Sequence, residues 1–226
     1  MTRLIVVRHG QSESNLEKTF AGHKNVHLTE LGKAQAEALS LYLEKYDIDK
    51  IYASSLSRAI ETAVPTARRL NKEIILMDDL KEIYAGKWEG MFFDDIEKTY
   101  KEEFYVWKND IGNAHPNGGE SVKELAKRVS LAIDKIVSEN EGKTVLVVSH
   151  GAAIRTLSCL WHGKEIKDMK DVSWAPNSSV SVIDYENGKS ETGLFGYSAG
   201  VRSIFLDAET GRAEFGLAGT SEGGGR

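Results

Sequence analysis

Two short apolar, β-branched runs, Leu4–Val7 and Thr144–Val148, each stop at a histidine that is followed by glycine. Runs of this length with no polar alternation are what a strand buried on both faces requires. A third, Lys50–Ala53, stops at Ser54-Ser55 and leads to Arg58, and Glu73–Leu76 reads as a further strand. Helical spacing follows the first three. Thr29 precedes a helix through Leu31, Ala34, Ala38 and Leu41, a helix starts near Leu56 with Pro65 as a kink or early break, and Ala152–Trp161 is apolar and helical. Ser121 opens another helix through Leu125, Val129, Ile133 and Ile136, and Ser179–Tyr185 alternates like a strand before an Asn187-Gly188 turn. Strands alternating with helices predict a three-layer α/β/α sandwich around a mostly parallel sheet. Such a sheet places its ligand site beyond the carboxyl ends of its strands.

Those strand ends are chemically alike. If they share one sheet, Arg8, His9, Arg58 and His150 converge on one crevice as a compact cationic pocket. Guanidinium forks match phosphate oxygens two bonds at a time, and glycines beside both histidines let the backbone approach an anion. Each piece also has a plainer reading. Arg-His-Gly alone reads as a loop, His150 alone equally as a hydrogen-bonded core histidine, and Arg58 alone as a solvated helix residue. The combination carries the argument.

A net charge of −5 on 226 residues gives no electrostatic case for nucleic acid or a membrane surface, so an anion site has to be built locally. The single cysteine, Cys159, lies in an apolar run and reads as a small core residue in a chain of a reducing compartment. No cluster has metal-ligand spacing, and no stretch has the length of a signal-peptide core or a membrane span, so the expectation is a cytoplasmic protein with no metal and no cofactor. Nothing in the sequence sets an oligomeric state.

Arg8-His9-Gly10-Gln11-Ser12 with Asn15 resembles the signature of the histidine phosphatase (phosphoglycerate mutase-like) superfamily. Further motifs follow in the family's order: Leu28-Thr29-Glu30-Leu31-Gly32, Ser54-Ser55-Leu56-Ser57-Arg58-Ala59, Glu82-Ile83 with Trp88-Glu89-Gly90, Gly118-Gly119-Glu120-Ser121 and Val148-Ser149-His150-Gly151. The resemblance runs from Thr2 to about Asp184. It implies that His9 is the nucleophile and becomes phosphohistidine. It implies that Arg8, Arg58 and His150 hold the phosphoryl oxygens, helped by Asn15 and the backbone of Gly151. Glu82 would protonate the leaving oxygen and then activate water; a surface carboxylate is the plainer reading. Gly22 and His23 match the pocket mouth and would touch substrate, although a solvated loop histidine fits His23 as well. Asn177 matches a position near the site and equally a turn residue. His27, His115 and His162 read as structural or exposed.

Neutral imidazole is a competent phosphorus nucleophile near neutral pH and needs no metal, and a carboxyl of raised pKa suits proton donation to an alkoxide. The expected activity is a metal-independent phosphomonoesterase acting on small phosphorylated metabolites, of broad specificity. Phosphosugars, phosphoglycerate and ribazole phosphate stay open as substrates. The alternatives are a cofactor-dependent phosphoglycerate mutase and a phospho-ligand binding protein without turnover. Residues 82–90 resemble the phosphatase branch more than the Glu-Arg-His-Tyr-Gly segment of mutases, and residues 91–117 hold no arginine for a substrate carboxylate. Tyr84, Trp88, Phe92, Phe93, Tyr100, Phe104, Tyr105 and Trp107 suggest either a lid for apolar alcohols or a packed cap without ligand contact. Residues 1–200 form the expected phosphatase domain, with a cap-like insertion at about 91–117. Residues 201–226 form a divergent C-terminal hairpin, with its turn at Glu209-Thr210-Gly211, and a Gly-rich tail.

Overall fold

The first apolar run becomes β1, Thr2–Arg8, and its pleat alternates between two cores. Leu4 and Val6 face one, Ile5 and Val7 the other, and all four are at most 1% exposed. In a computed structural model of the chain, residues 1–185, 202–206 and 213–217 are described. In chain order β1 is followed by α1 (Glu13–Glu17), α2 (Glu30–Leu43), β2 (Lys50–Ala53), α3 (Ser57–Leu70) and β3 (Ile74–Leu76). Then come α4 (Phe93–Thr99), α5 (Lys101–Asn109), α6 (Val122–Glu139), β4 (Thr144–Ser149), α7 (Gly151–Trp161) and β5 (Val180–Tyr185). Arg202–Leu206 and Ala213–Leu217 are β6 and β7.

The sheet order is β3-β2-β4-β1-β5-β6-β7. β3, β2, β4 and β1 are mutually parallel, β5 runs antiparallel to β1, and β6 and β7 continue antiparallel beyond it. β1 and β4 pair from Arg3↔Thr144 to Arg8↔Ser149, so both end at the same level. Helices cover both faces. Leu39 and Leu43 of α2 and Ala59, Ala63 and Ala67 of α3 pack on Ile5, Val7, Leu146 and Val148. Val122, Leu125, Val129, Ile133 and Ile136 of α6 and Ala152, Ala153 and Leu157 of α7 pack on Leu4, Val6, Val145 and Val147. The expected three-layer arrangement therefore holds.

Pro65 does not end its helix. α3 runs unbroken from Ser57 to Leu70 with Pro65 buried inside it. Proline removes one i→i−4 hydrogen bond, but the alanine stripe packed on the sheet holds the helix on both sides of it. The Asn187-Gly188 turn, the turn around Glu209-Thr210-Gly211 and the Gly-rich tail lie outside the described residues.

Candidate active site

The β1–β4 register brings His9 and His150 together, with ring centroids 5.1 Å apart. His9 is 4% exposed, and its Nδ1 lies 2.7 Å from the carbonyl oxygen of Gly10. A carbonyl only accepts, so Nδ1 carries the proton and Nε2 keeps its lone pair. Burial, then Arg58 and Arg8, hold the His9 pKa well below the ordinary imidazole value. His150 is fully buried behind it. Its Nδ1 accepts from Arg58 Nε at 3.1 Å, so the proton sits on Nε2 and is donated to Ser54 Oγ at 2.7 Å. Burial, then Arg58, keep this ring neutral too.

Arg58, in the first turn of α3, is 1% exposed and donates to the carbonyls of Gly22 at 2.8 Å and Lys24 at 3.1 Å. Burial pushes its pKa down to about 10, while Glu82 works against that shift. Arg8 donates to the carbonyl of Ala175 at 2.6 Å, and its buried Nε has no protein partner. A Cβ at position 151 would lie 3.3 Å from the Arg8 guanidinium carbon, so glycine there gives the planar group room to lie against the backbone.

Glu82 is docked on the N-terminus of α7. Its carboxylate accepts from the N–H groups of Ala152 at 3.1 Å, Ala153 at 3.2 Å and Ile83 at 2.9 Å. Unpaired N–H groups at such an end hold the carboxyl group in place across the cleft from His9. Across the site, Asn15 Oδ1 accepts from Ser12 N–H at 3.0 Å and from Asn177 Nδ2 at 3.1 Å. Asn177 Nδ2 also lies 3.0 Å from the His9 carbonyl, which ties the β1 end to the turn before β5.

These groups bound a cleft of about 270 Å³. Arg8, His9, Asn15, Gly22, Arg58, Glu82 and Gly151 all line it. Two expected substrate contacts do not. His150 lies behind His9, with both ring nitrogens engaged by Arg58 and Ser54. His23 is neither at the cleft wall nor a solvated loop residue: its Nε2 donates to the Glu82 carbonyl at 2.8 Å, and its ring packs against Tyr84. The aromatic segment divides between its two readings. Trp88 and Phe104 are core residues, whereas Phe93 and Trp107 line the cleft.

Phe20 and Trp174 complete that wall and were not singled out from the sequence. Trp174 sits 4.6 Å from the guanidinium of Arg155, a contact that no local sequence pattern announces. Cys159 is buried and free, and burial raises its thiol pKa. His27 pairs with Glu61, and His115 and His162 are exposed and bonded to backbone carbonyls. Among the described residues, no group of three or more His, Cys, Asp or Glu is placed to hold a metal ion, and no helix is long and apolar enough to cross a membrane.

A neutral imidazole flanked by two guanidinium groups, with a carboxylate across the cleft, is an arrangement suited to phosphoryl transfer. The chain belongs to the histidine phosphatase superfamily (branch 1), which it matches over residues 4–196. It is thus a phosphoric monoester hydrolase acting through histidine, as its motifs led us to expect. Phosphoserine phosphatase 1 of Hydrogenobacter thermophilus is 33% identical over 190 residues, covering 84% of this chain and 90% of that protein. Adenosylcobalamin/alpha-ribazole phosphatase of Salmonella typhimurium is 30% identical over 169 residues, covering 71% and 84%. Bacillus stearothermophilus YhfR superposes with a TM-score of 0.81 at 29% identity, covering 88% of this chain and 96% of that one.

Proposed function

We propose that the chain hydrolyses phosphate monoesters of small metabolites in two steps through a phosphohistidine on His9. The observation that carries this reading is the Nδ1–H of buried His9 held on the Gly10 carbonyl, which leaves a neutral Nε2 between Arg8 and Arg58. Nε2 attacks phosphorus, and the bond from phosphorus to the ester oxygen breaks. Glu82, entering as the acid, gives its proton to that oxygen. The new imidazolium keeps its Nδ1 proton on Gly10. Water then attacks phosphorus and loses a proton to Glu82, and the bond from phosphorus to Nε2 breaks with its electron pair returning to the ring, which restores neutral His9 and releases phosphate. Arg8 and Arg58 supply the positive charge for the phosphoryl oxygens.

The outer wall supports hydrolysis over phosphoglycerate isomerisation. Among the described residues lining the cleft, Arg8 and Arg58 are the arginines, and no lysine joins them. Both lie beside His9, so neither is free to clamp a distant substrate carboxylate. Phe93, Trp107, Trp174 and Ile83 face the alcohol portion instead, which suits apolar and varied groups and supports broad specificity. Phosphoserine and ribazole phosphate are the first esters to assay, because relatives carry those names. The buried free Cys159 is compatible with a cytoplasmic location, which belongs to the same proposal.

The test is phosphate release in EDTA from a panel of esters, including 3-phosphoglycerate with and without bisphosphoglycerate. Release should survive the chelator, vanish in His9→Ala and be accompanied by an acid-labile phosphoenzyme. Isomerisation only with bisphosphoglycerate would make the protein a mutase. Tight ester binding without turnover would make it a binding protein.

A further inference from the structure

Glu120 stands in one of the ordered motifs, yet it lies outside the cleft and takes no part in the steps above. The structure gives it a partner that sequence alone does not reveal. Arg128, two turns into α6, meets it as a two-pronged pair, Nε to Oε1 at 2.9 Å and NH2 to Oε2 at 2.7 Å. The remaining donors of Arg128 reach three backbone carbonyls of the opposite segment. NH1 donates to Asp79 at 2.9 Å and Lys81 at 3.1 Å, and NH2 donates to Glu82 at 3.1 Å. Glu120 grips the same segment from its other end. Its backbone N–H donates to the Tyr84 carbonyl at 2.7 Å, and its carboxylate accepts from the Tyr84 N–H at 3.3 Å. His23 Nε2 is the second donor on the Glu82 carbonyl. The side chains of Arg128 and Glu120 are only 20% and 15% exposed.

We infer that Arg128, oriented by Glu120 and seconded by His23, is a positioning residue for the proton donor: it fixes the backbone of Glu82 so that the carboxyl group reaches the leaving oxygen. The inference rests on the assignment of Glu82 as that donor. All five N–H donors of Arg128 are used, and three of the five bonds end on residues 79–82. A planar five-donor fork can hold a carboxylate and three carbonyls at once, and an ammonium cannot. Moving a reacting group by about 1 Å costs on the order of 100-fold in rate. A loosened segment therefore shows itself in proton donation before it shows in phosphate binding.

The experiment compares kcat/KM for an alkyl ester, β-glycerol phosphate, with that for p-nitrophenyl phosphate, whose leaving group needs little protonation. Variants are Arg128→Lys, Glu120→Gln, Glu82→Gln and the double variant Glu82→Gln/Arg128→Lys. Glu82→Gln should lower the alkyl ester by about 100-fold or more and the aryl ester far less. Arg128→Lys should lower the alkyl ester by roughly 10- to 100-fold, and the aryl ester by no more than about 3-fold. Glu120→Gln keeps the shape and should follow the same pattern in weaker form. In the Glu82→Gln background, Arg128→Lys should add almost nothing, because groups acting as one unit are not additive.

Equal losses on both esters in Arg128→Lys, or full additivity in the double variant, would make Arg128 a structural residue and overturn the inference while leaving Glu82 in place. Equal losses in Glu82→Gln itself would remove the proton donor, and the positioning role would fall with it.

Discussion

A histidine that attacks phosphorus must be neutral when the ester arrives, and His9 is kept so from several sides. Burial is the largest influence and Arg58 the next, for His150 as for His9. Replacing Arg58 by Met removes a neighbouring cation while leaving the burial, so both imidazole pKa values should rise part of the way toward about 6.5. NMR titration of the ring signals in the phosphate-free enzyme reads this directly, and unmoved titrations would remove Arg58 as a cause. At this scale the sequence disclosed the polar strand ends, because those residues follow apolar runs, whereas the glutamate segment was legible only through its resemblance to a family motif. It did not disclose that both ring nitrogens of His150 are taken, by Ser54 and Arg58, or that Trp174 joins the wall. Those facts depend on contacts between distant segments, which no local spacing records.

Among the elements, the first turn of α2 is packed hardest against the active-site loop. Thr29 caps that helix by accepting the Gly32 N–H at 3.1 Å, and the Gln11 backbone lies directly over Gly32. A Cβ on residue 32 would be 2.0 Å from the Gln11 carbonyl oxygen, a backbone atom that cannot swing away. Gly32→Ala should therefore cost about 1–3 kcal/mol of stability, the usual range for overpacking. It should also lower kcat/KM, because the displaced loop carries His9. Urea denaturation and the p-nitrophenyl phosphate assay check both, and an unchanged urea midpoint would show that the loop yields freely. The spacing of α2 and α6, and their starts after Thr29 and Ser121, were legible in the sequence. The continuity of α3 through Pro65 was not, since proline's local effect is outweighed there by burial on the sheet. Nor was the division of the aromatic segment between core and cleft, which follows from which faces α4 and α5 turn toward Phe20.

Across the whole molecule, the same depressed imidazoles link stability to pH. With folded-state values below about 6.5, the unfolded chain takes up protons first as the pH falls. The stabilisation held by neutral His9 and His150 is then complete above about pH 6.5 and lost as the pH drops through the folded values. The urea midpoint should be lower at pH 5.5 than at pH 7.5, and the difference should shrink in His9→Asn. His27 acts in the opposite sense, because its contact with Glu61 raises its pKa, so His27→Gln should steepen the decline. A flat profile in both the parent and His27→Gln would show that the buried rings are not held neutral.

β1 is the earliest described strand of the chain, and it lies between β4 and β5, whose residues come from 144–149 and 180–185. During synthesis at the ribosome, His9 emerges on the order of ten seconds before His150 and the strand that must lie beside it. Through that interval β1 has neither of its hydrogen-bonded neighbours, and the cleft has no floor. A nascent or prematurely terminated product that lacks residues 144–185 thus carries the nucleophile but cannot hydrolyse an ester. The first appearance of turnover in a refolding or cell-free translation experiment times the closure of the sheet's centre.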